Sequence, residues 1–202
     1  MHKIVLVGGG GHCKSCIEVI ESIRKFEIIG IIEKQDNKLK NVLGYKVIGN
    51  DNDLKQIKKI AKYAFVTIGQ IKDSKPRIQT FDNLIKLNFS LPVIQSTNCV
   101  VSKHTKIGKG TILMRETQIG PNTSIGNNCI INNKVLIEHD CKIDNHCHIS
   151  TGAILNGNVS IGHSSFVGSG VIISNNIKIG ANVSIGAGVL VKKDISDNQV
   201  VR

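Results

Sequence analysis

The stretch Asn132 to Ser150 reads NNKVLIEHDCKIDNHCHIS and gathers three histidines, two aspartates, a glutamate and two cysteines into an otherwise aliphatic run. His139 stands directly before Asp140. An imidazole beside a carboxylate can hold one tautomer and take up a proton near neutral pH, which is what a general base requires. Zinc is the sharper rival, since three ligands would have to come from His139, His146, His148 and His163, but their spacing suits no obvious three-ligand set. The blander alternative is a set of surface histidines. A second chemical signal is the loop GGGGH, Gly8 to His12. Between a strand and a helix N-terminus, its backbone N–H groups and the helix dipole favour an anion. The loop does not complete G-x-G-x-x-G, because Cys13 stands where the last glycine belongs, so a tight structural turn and a nucleotide or nucleotide-sugar site both remain open. Glu33 closes the next strand, a position from which an acid reaches a ribose or base.

The elements that carry these residues follow from periodicity. Stepping by six from Val101 meets only aliphatics as far as Val191, with Ile137, Ile143 and Ile149 flanking the histidines. The residue two before each is small or apolar, and Cys129, Cys141 and Cys147 fill that slot, which assigns them to packing. Glycine often follows the aliphatic, as at Gly108, Gly120 and Gly126, and is expected to serve tight corners. One large and one small inward position per hexad suits a triangular coil of short strands, each turn burying its aliphatics on the next. His139 and Asp140, just past inward Ile137, should leave the coil near a corner. His148 precedes inward Ile149, one half-coil further on.

Residues 1–92 read as a separate α/β unit and residues 93–202 as the coil. KIVLVG is a buried parallel strand, a helix is expected over Lys14 to Lys25, and EIIGIIE is a second strand followed by a polar loop. YKVIG, a helix near Asp51 to Lys62, a strand AFVTIGQ and a helix from Lys75 to Leu87 complete a small parallel sheet with helical crossovers.

Composition bounds the function classes. With 202 residues and 41% hydrophobic content the chain can fill one substantial core or two small ones. A net charge of +11 would attract polyanions, but the lysines are scattered and aromatics are 3%, which argues against nucleic acid and for small anionic ligands such as nucleotides. Apolar runs are far short of the roughly 20 residues of a membrane span. No signal segment is evident at the N-terminus, so a cytoplasmic setting without disulfides is expected.

Taken together, the hexads, the GGGGH unit and IEHDCKIDNHCHIS resemble the bacterial acyltransferases of the sialic-acid O-acetyltransferase type. The likeness is strongest to nucleotide-linked amino-sugar N-acetyltransferases that make diacetamido-trideoxy sugars for glycoproteins and surface polysaccharides. It implies a Rossmann-like N-terminal domain followed by a left-handed parallel β-helix, a homotrimer, and acetyl-coenzyme A as co-substrate. It makes His139 the general base with Asp140 orienting it, and places His148 beside the thioester, with Ser169 and Ala187 at backbone contacts to coenzyme A. Backbone N–H groups near Gly157 would serve as an oxyanion site. Gly10, Gly11, His12, Glu33, Lys34 and Gly69 would hold the nucleotide-sugar, and Asn132 would lie near the sugar. Relatives often carry two acids where this chain has Glu33-Lys34, and they usually continue through V-x-G-x-P-A where this one has Val200-Val201-Arg202, so a C-terminal clamp on coenzyme A is expected to be either missing or trimmed.

The implied reaction is metal-free N-acetylation of a nucleotide-linked amino-deoxy sugar, for example a UDP-linked 4-amino-4,6-dideoxy-N-acetyl sugar. The alternatives are O-acetylation of a sialic-acid-like sugar and a noncatalytic β-helix that binds nucleotide-sugars.

Overall fold

A computed structural model describes residues 1–35, 37–71 and 73–202. The chain divides into two units, Met1–Gly69 with Lys75–Ile94, and Gln70–Ser74 with Gln95–Arg202.

In the first unit, β1 (His2–Val7) is the buried strand that its aliphatic run predicts. Ile4, Val5 and Leu6 are wholly buried, as a strand covered on both faces must be. It pairs in parallel with β2 (Phe26–Ile32) and with β5 (Tyr63–Val66). Beyond β2 lie β4 (Tyr45–Gly49), parallel to β2, and β3 (Asn41–Val42), antiparallel to β4, giving the order β3-β4-β2-β1-β5. The β3–β4 hairpin was not expected from sequence. The polar loop expected after β2 includes Asp36, which lies outside the described residues.

Helix α1 runs Gly11–Ile23, three residues ahead of its expected start, so Gly11 and His12 belong to its first turn. It stops where Arg24 turns left-handed (φ 51°). The expected Asp51–Lys62 helix is far shorter. Asn50 caps a 3-10 turn over Asp51–Asp53, and α2 covers only Leu54–Ile57. Beyond Ile57 only Ala61 finds burial, and the chain turns into β5. Helix α3 is Lys75–Lys86, close to expectation. From it the fully buried Arg77 donates to the carbonyls of Val66 (3.1 Å) and Ile68 (2.7 Å), which anchors the strand end that leads to Gly69.

In the second unit the hexads build a left-handed β-helix of two-residue strands on three faces, every pairing parallel and offset by 18 residues through most of its length. The first face includes Leu136–Ile137 and Ile154–Leu155, the second Ser124–Ile125 and Lys142–Ile143, the third Ile130–Ile131 and His148–Ile149. The inward aliphatics stack in one column, with Ile131, Ile137 and Ile149 wholly buried. Truncating one of them, such as Ile137→Ala, should cost about 2–5 kcal/mol.

The small inward slot is also a hydrogen-bonding slot. Thr123 Oγ1 donates to the Glu138 carbonyl (2.9 Å), and the Cys141 and Cys147 thiols donate to the carbonyls of Asn156 and Gly162, each at 3.2 Å. Burial pushes the Cys141 thiol up, which keeps it a neutral donor.

The corners correct one expectation. Left-handed backbone falls three residues after the inward aliphatic, at Asn122, Asp140 and Asn158 (φ 56°, 62° and 59°), and not at the glycine that follows the aliphatic. That glycine answers a demand for space: a Cβ at Gly120 would lie 2.8 Å from the backbone carbon of Glu138 and 2.8 Å from the nitrogen of His139.

Candidate active site

His139 and Asp140 occupy the corner between the first and second faces. Their side chains are 57% and 46% exposed, and His139 Nδ1 lies 2.7 Å from Asp140 Oδ2. A carboxylate accepts, so Nδ1 carries the proton and Nε2 presents a lone pair. One coil earlier, Asn122 Nδ2 donates to Asp140 Oδ1 at 2.6 Å. The Asn122 amide and then His139 hold the Asp140 carboxyl below the usual carboxylate range, so it stays ionised. One coil later, Gly157 leaves room for the ring: a Cβ there would sit 2.7 Å from both Cε1 and Nε2 of His139. Asn122, His139 and Asp140 border an open depression of about 730 Å³, also lined by His104, Lys106, Lys142 and Asn176.

His148 is placed differently. It lies on the third face and is only 7% exposed. Its Nδ1 is 2.5 Å from the Gln70 carbonyl, which can only accept, so Nδ1 is the protonated nitrogen. Nε2 then accepts from the Asn132 amide at 3.4 Å, and the Phe166 ring meets the imidazole edge-on with centroids 5.2 Å apart. Asn132 and His148 are thus brought together. Ser169 and Ala187 sit on the corner between the third and first faces, both exposed, with Ser169 Oγ 2.9 Å from Ser150 Oγ. Within one chain, the His139 corner and the Ser169 corner are separate edges of the prism, and the first face lies between them.

In the α/β unit, Gly10 is the N-cap of α1 and Gly11 its first residue, and a Cβ on either would meet nothing within 4 Å. His12 turns its Nε2 to Cys16 Sγ (3.3 Å), and Gly69 lies against the His12 Cβ, where an added methyl would come to 3.4 Å. Burial raises Cys16 beyond the range in which a thiolate forms, which makes it a packing residue. Glu33, expected to reach a ribose or base, turns its carboxylate to the backbone. Its two oxygens take the backbone N–H groups of Gly9 (2.5 Å) and Lys34 (2.8 Å), so it clasps the glycine loop. Sequence reasoning missed Asn122, although its 18-residue step from Asp140 was there to be counted.

Residues 3–84 match the PglD N-terminal domain, and 98–133, 122–157 and 158–193 match the bacterial transferase hexapeptide. The chain is similar to perosamine N-acetyltransferase from Caulobacter crescentus, solved as a histidine-to-asparagine variant with CoA and GDP-perosamine. The TM-score is 0.92 at 29% identity, over 99% of this chain and 93% of that one. The acetyltransferase domain of PglB from Neisseria gonorrhoeae FA1090, in complex with acetyl coenzyme A, gives 0.91 at 29% identity, over 98% and 95%.

The chain belongs to the hexapeptide-repeat acetyltransferases that carry a PglD-type N-terminal domain. This is the nucleotide-sugar N-acetyltransferase family to which the hexads, the glycine loop and the EHD segment point. WeeI from Acinetobacter baumannii AYE shares the fold of this acetyltransferase, with a TM-score of 0.81 at 24% identity over 100% of this chain and 97% of that one. Comparison with curated protein sequences gives no match.

Proposed function

We propose that this acetyltransferase moves the acetyl group of acetyl-coenzyme A onto the amine of a nucleotide-linked amino-deoxy sugar. The observation that carries the reading is the His139 ring, protonated at Nδ1 by its bond to Asp140 and open at Nε2 above the space left by Gly157. The sugar amine attacks the thioester carbonyl, and Nε2 takes the amine proton as the tetrahedral intermediate forms. Collapse breaks the carbon–sulfur bond, and the imidazolium returns the proton to the departing thiolate. The Gly157 N–H is the donor we assign to the developing oxyanion. His148, Ser169 and Ala187 are assigned to coenzyme A. Gly10, Gly11, His12 and Gly69, with Asn132, are assigned to the nucleotide-sugar, and Glu33 and Lys34 shape the loop beside it. Support for both ligands comes from the relatives, one solved with CoA and GDP-perosamine and one with acetyl coenzyme A.

The active unit is a homotrimer in this reading. The outward side chains of the first face are Val100, Gln118, Leu136, Ile154, Ile172 and Leu190, five of the six apolar, and Val100 (68%) and Leu190 (52%) are widely exposed. Covering this face with a second copy buries that stripe, and it sets the His139 corner of one subunit against the Ser169 corner of its neighbour. No helix is long and apolar enough to cross a membrane among the described residues, and we place the enzyme in the cytoplasm.

Release of free thiol from acetyl-coenzyme A, measured with a panel of amino and hydroxyl nucleotide-sugars, tests the reaction. Turnover restricted to amino sugars is expected. Turnover with hydroxyl sugars alone would reassign the enzyme to O-acetylation, and none with any acceptor would favour a binding protein. Sedimentation at micromolar concentration should give a trimer, and a monomer would remove the shared site. Gly10→Val should raise KM for the sugar and leave that for acetyl-coenzyme A unchanged, since a Cβ at this position meets no protein atom within 4 Å.

A further inference from the structure

We infer that Asn122 is a positioning residue for the reaction, the outer member of a chain Asn122–Asp140–His139 in which each coil orients a group of the next. The inference rests on the reading of His139 as the base.

A carboxylate on an exposed corner that made one hydrogen bond would be free to rotate about it. The Asp140 carboxylate makes two, on opposite oxygens: Oδ1 takes the Asn122 amide at 2.6 Å and Oδ2 takes His139 Nδ1–H at 2.7 Å. The two bonds fix its plane, and the plane fixes the ring. Both residues stand in left-handed backbone, Asn122 at φ 56° and Asp140 at φ 62°, one coil apart, so the same corner geometry superposes amide on carboxylate. Asparagine suits the position twice, tolerating that backbone and offering a donor of the right length.

The pair stands out against the rest of its column. Further along, Asn158 Nδ2 donates to Asn176 Oδ1 at 2.9 Å, an amide pair with no charge to orient. Lys106, Lys142 and His104 line the same depression, but among the described residues only Asn122 and His139 hydrogen-bond the Asp140 side chain.

The test is a double-mutant cycle with steady-state kinetics and thermal melts. Asn122→Gly keeps the left-handed corner and deletes the amide; Asn122→Asp keeps the shape and replaces the donor with a second carboxylate. Asn122→Gly should lower kcat about fivefold to tenfold, the scale of losing one charge-assisted hydrogen bond at a solvated site. KM for both substrates and the melting temperature should stay near wild type. Asn122→Asp should lose more, because like charges then face each other. In an Asp140→Gly background, Asn122→Gly should have no further effect, since it acts through Asp140.

Wild-type kcat for Asn122→Gly, alongside losses in His139→Ala and Asp140→Gly, would overturn the role of Asn122 and leave the base intact. Independent, multiplying losses in the cycle would overturn it too. A fully active His139→Ala would instead remove the base and with it this chain of orientation.

Discussion

Two histidines nine residues apart show how differently a corner and a face of this coil treat the same side chain. His139 projects from a corner into solvent, spends Nδ1 on a neighbouring carboxylate and keeps Nε2 open. His148 stands on a flat face under the Gln70 backbone, with both ring nitrogens engaged and Phe166 against its edge. A face residue is held by its ladder neighbours above and below, while a corner residue is held only by what reaches it. Chemistry that needs a free nitrogen therefore fits the corner, and recognition that needs a fixed one fits the face.

The contrast breaks most sharply if the two histidines are removed in turn. His139→Ala should lower kcat by about 10²- to 10⁴-fold, the usual loss of a general base, with an unchanged melting temperature. A folded variant retaining wild-type turnover would end the distinction. His148→Ala should do the reverse in part, losing less rate but about 2–4 kcal/mol of stability in denaturant melts, because it opens a cavity and strands the Asn132 amide.

A smaller effect is expected from crowding the open nitrogen. In Gly157→Ala the new methyl meets the end of a movable ring, so the protein should fold while kcat drops about tenfold through the displaced base. An unaltered kcat would show that the ring does not work from this rotamer.

The smallest effect is on stability against pH. Asp140 titrates below its ordinary value in the folded chain, so its contribution is full above the ordinary carboxylate range and disappears as pH falls through the lowered value. The melting-temperature gap between wild type and Asp140→Asn should be slight at neutral pH and close in strong acid. A gap that widened on acidification would contradict the bonding pattern at the corner.

How much of this was legible depended on how local the cause is. The inward column was readable because each hexad repeats the same steric choice, and Ile137 or Ile149 needs no distant information. The His139–Asp140 pair was readable because its partners are adjacent. Burial of His148 was not, since the Gln70 carbonyl that fixes it is 78 residues away. The double engagement of Glu33 was hidden for the same reason, because its partner Gly9 lies 24 residues back. The corner glycines were misassigned because Gly120 answers to the backbone of the next coil, and a one-dimensional pattern shows the residue without its neighbour. The short α2 reflects weak burial beyond Ile57, which helical spacing alone does not reveal.

The 18-residue offset of the ladders makes the coil a counting device with two nested clocks. Removing six residues keeps every later aliphatic pointing inward, yet it advances each later strand by one face. A deletion of this kind between Asp140 and Ser169 would leave a well-packed column whose outer surface is permuted, with Ser169 moved to a different corner relative to His139. Only gains or losses of whole coils preserve both core and surface. Length variation in such a protein should therefore be quantised, with folding tolerant of the shorter unit and activity only of the longer.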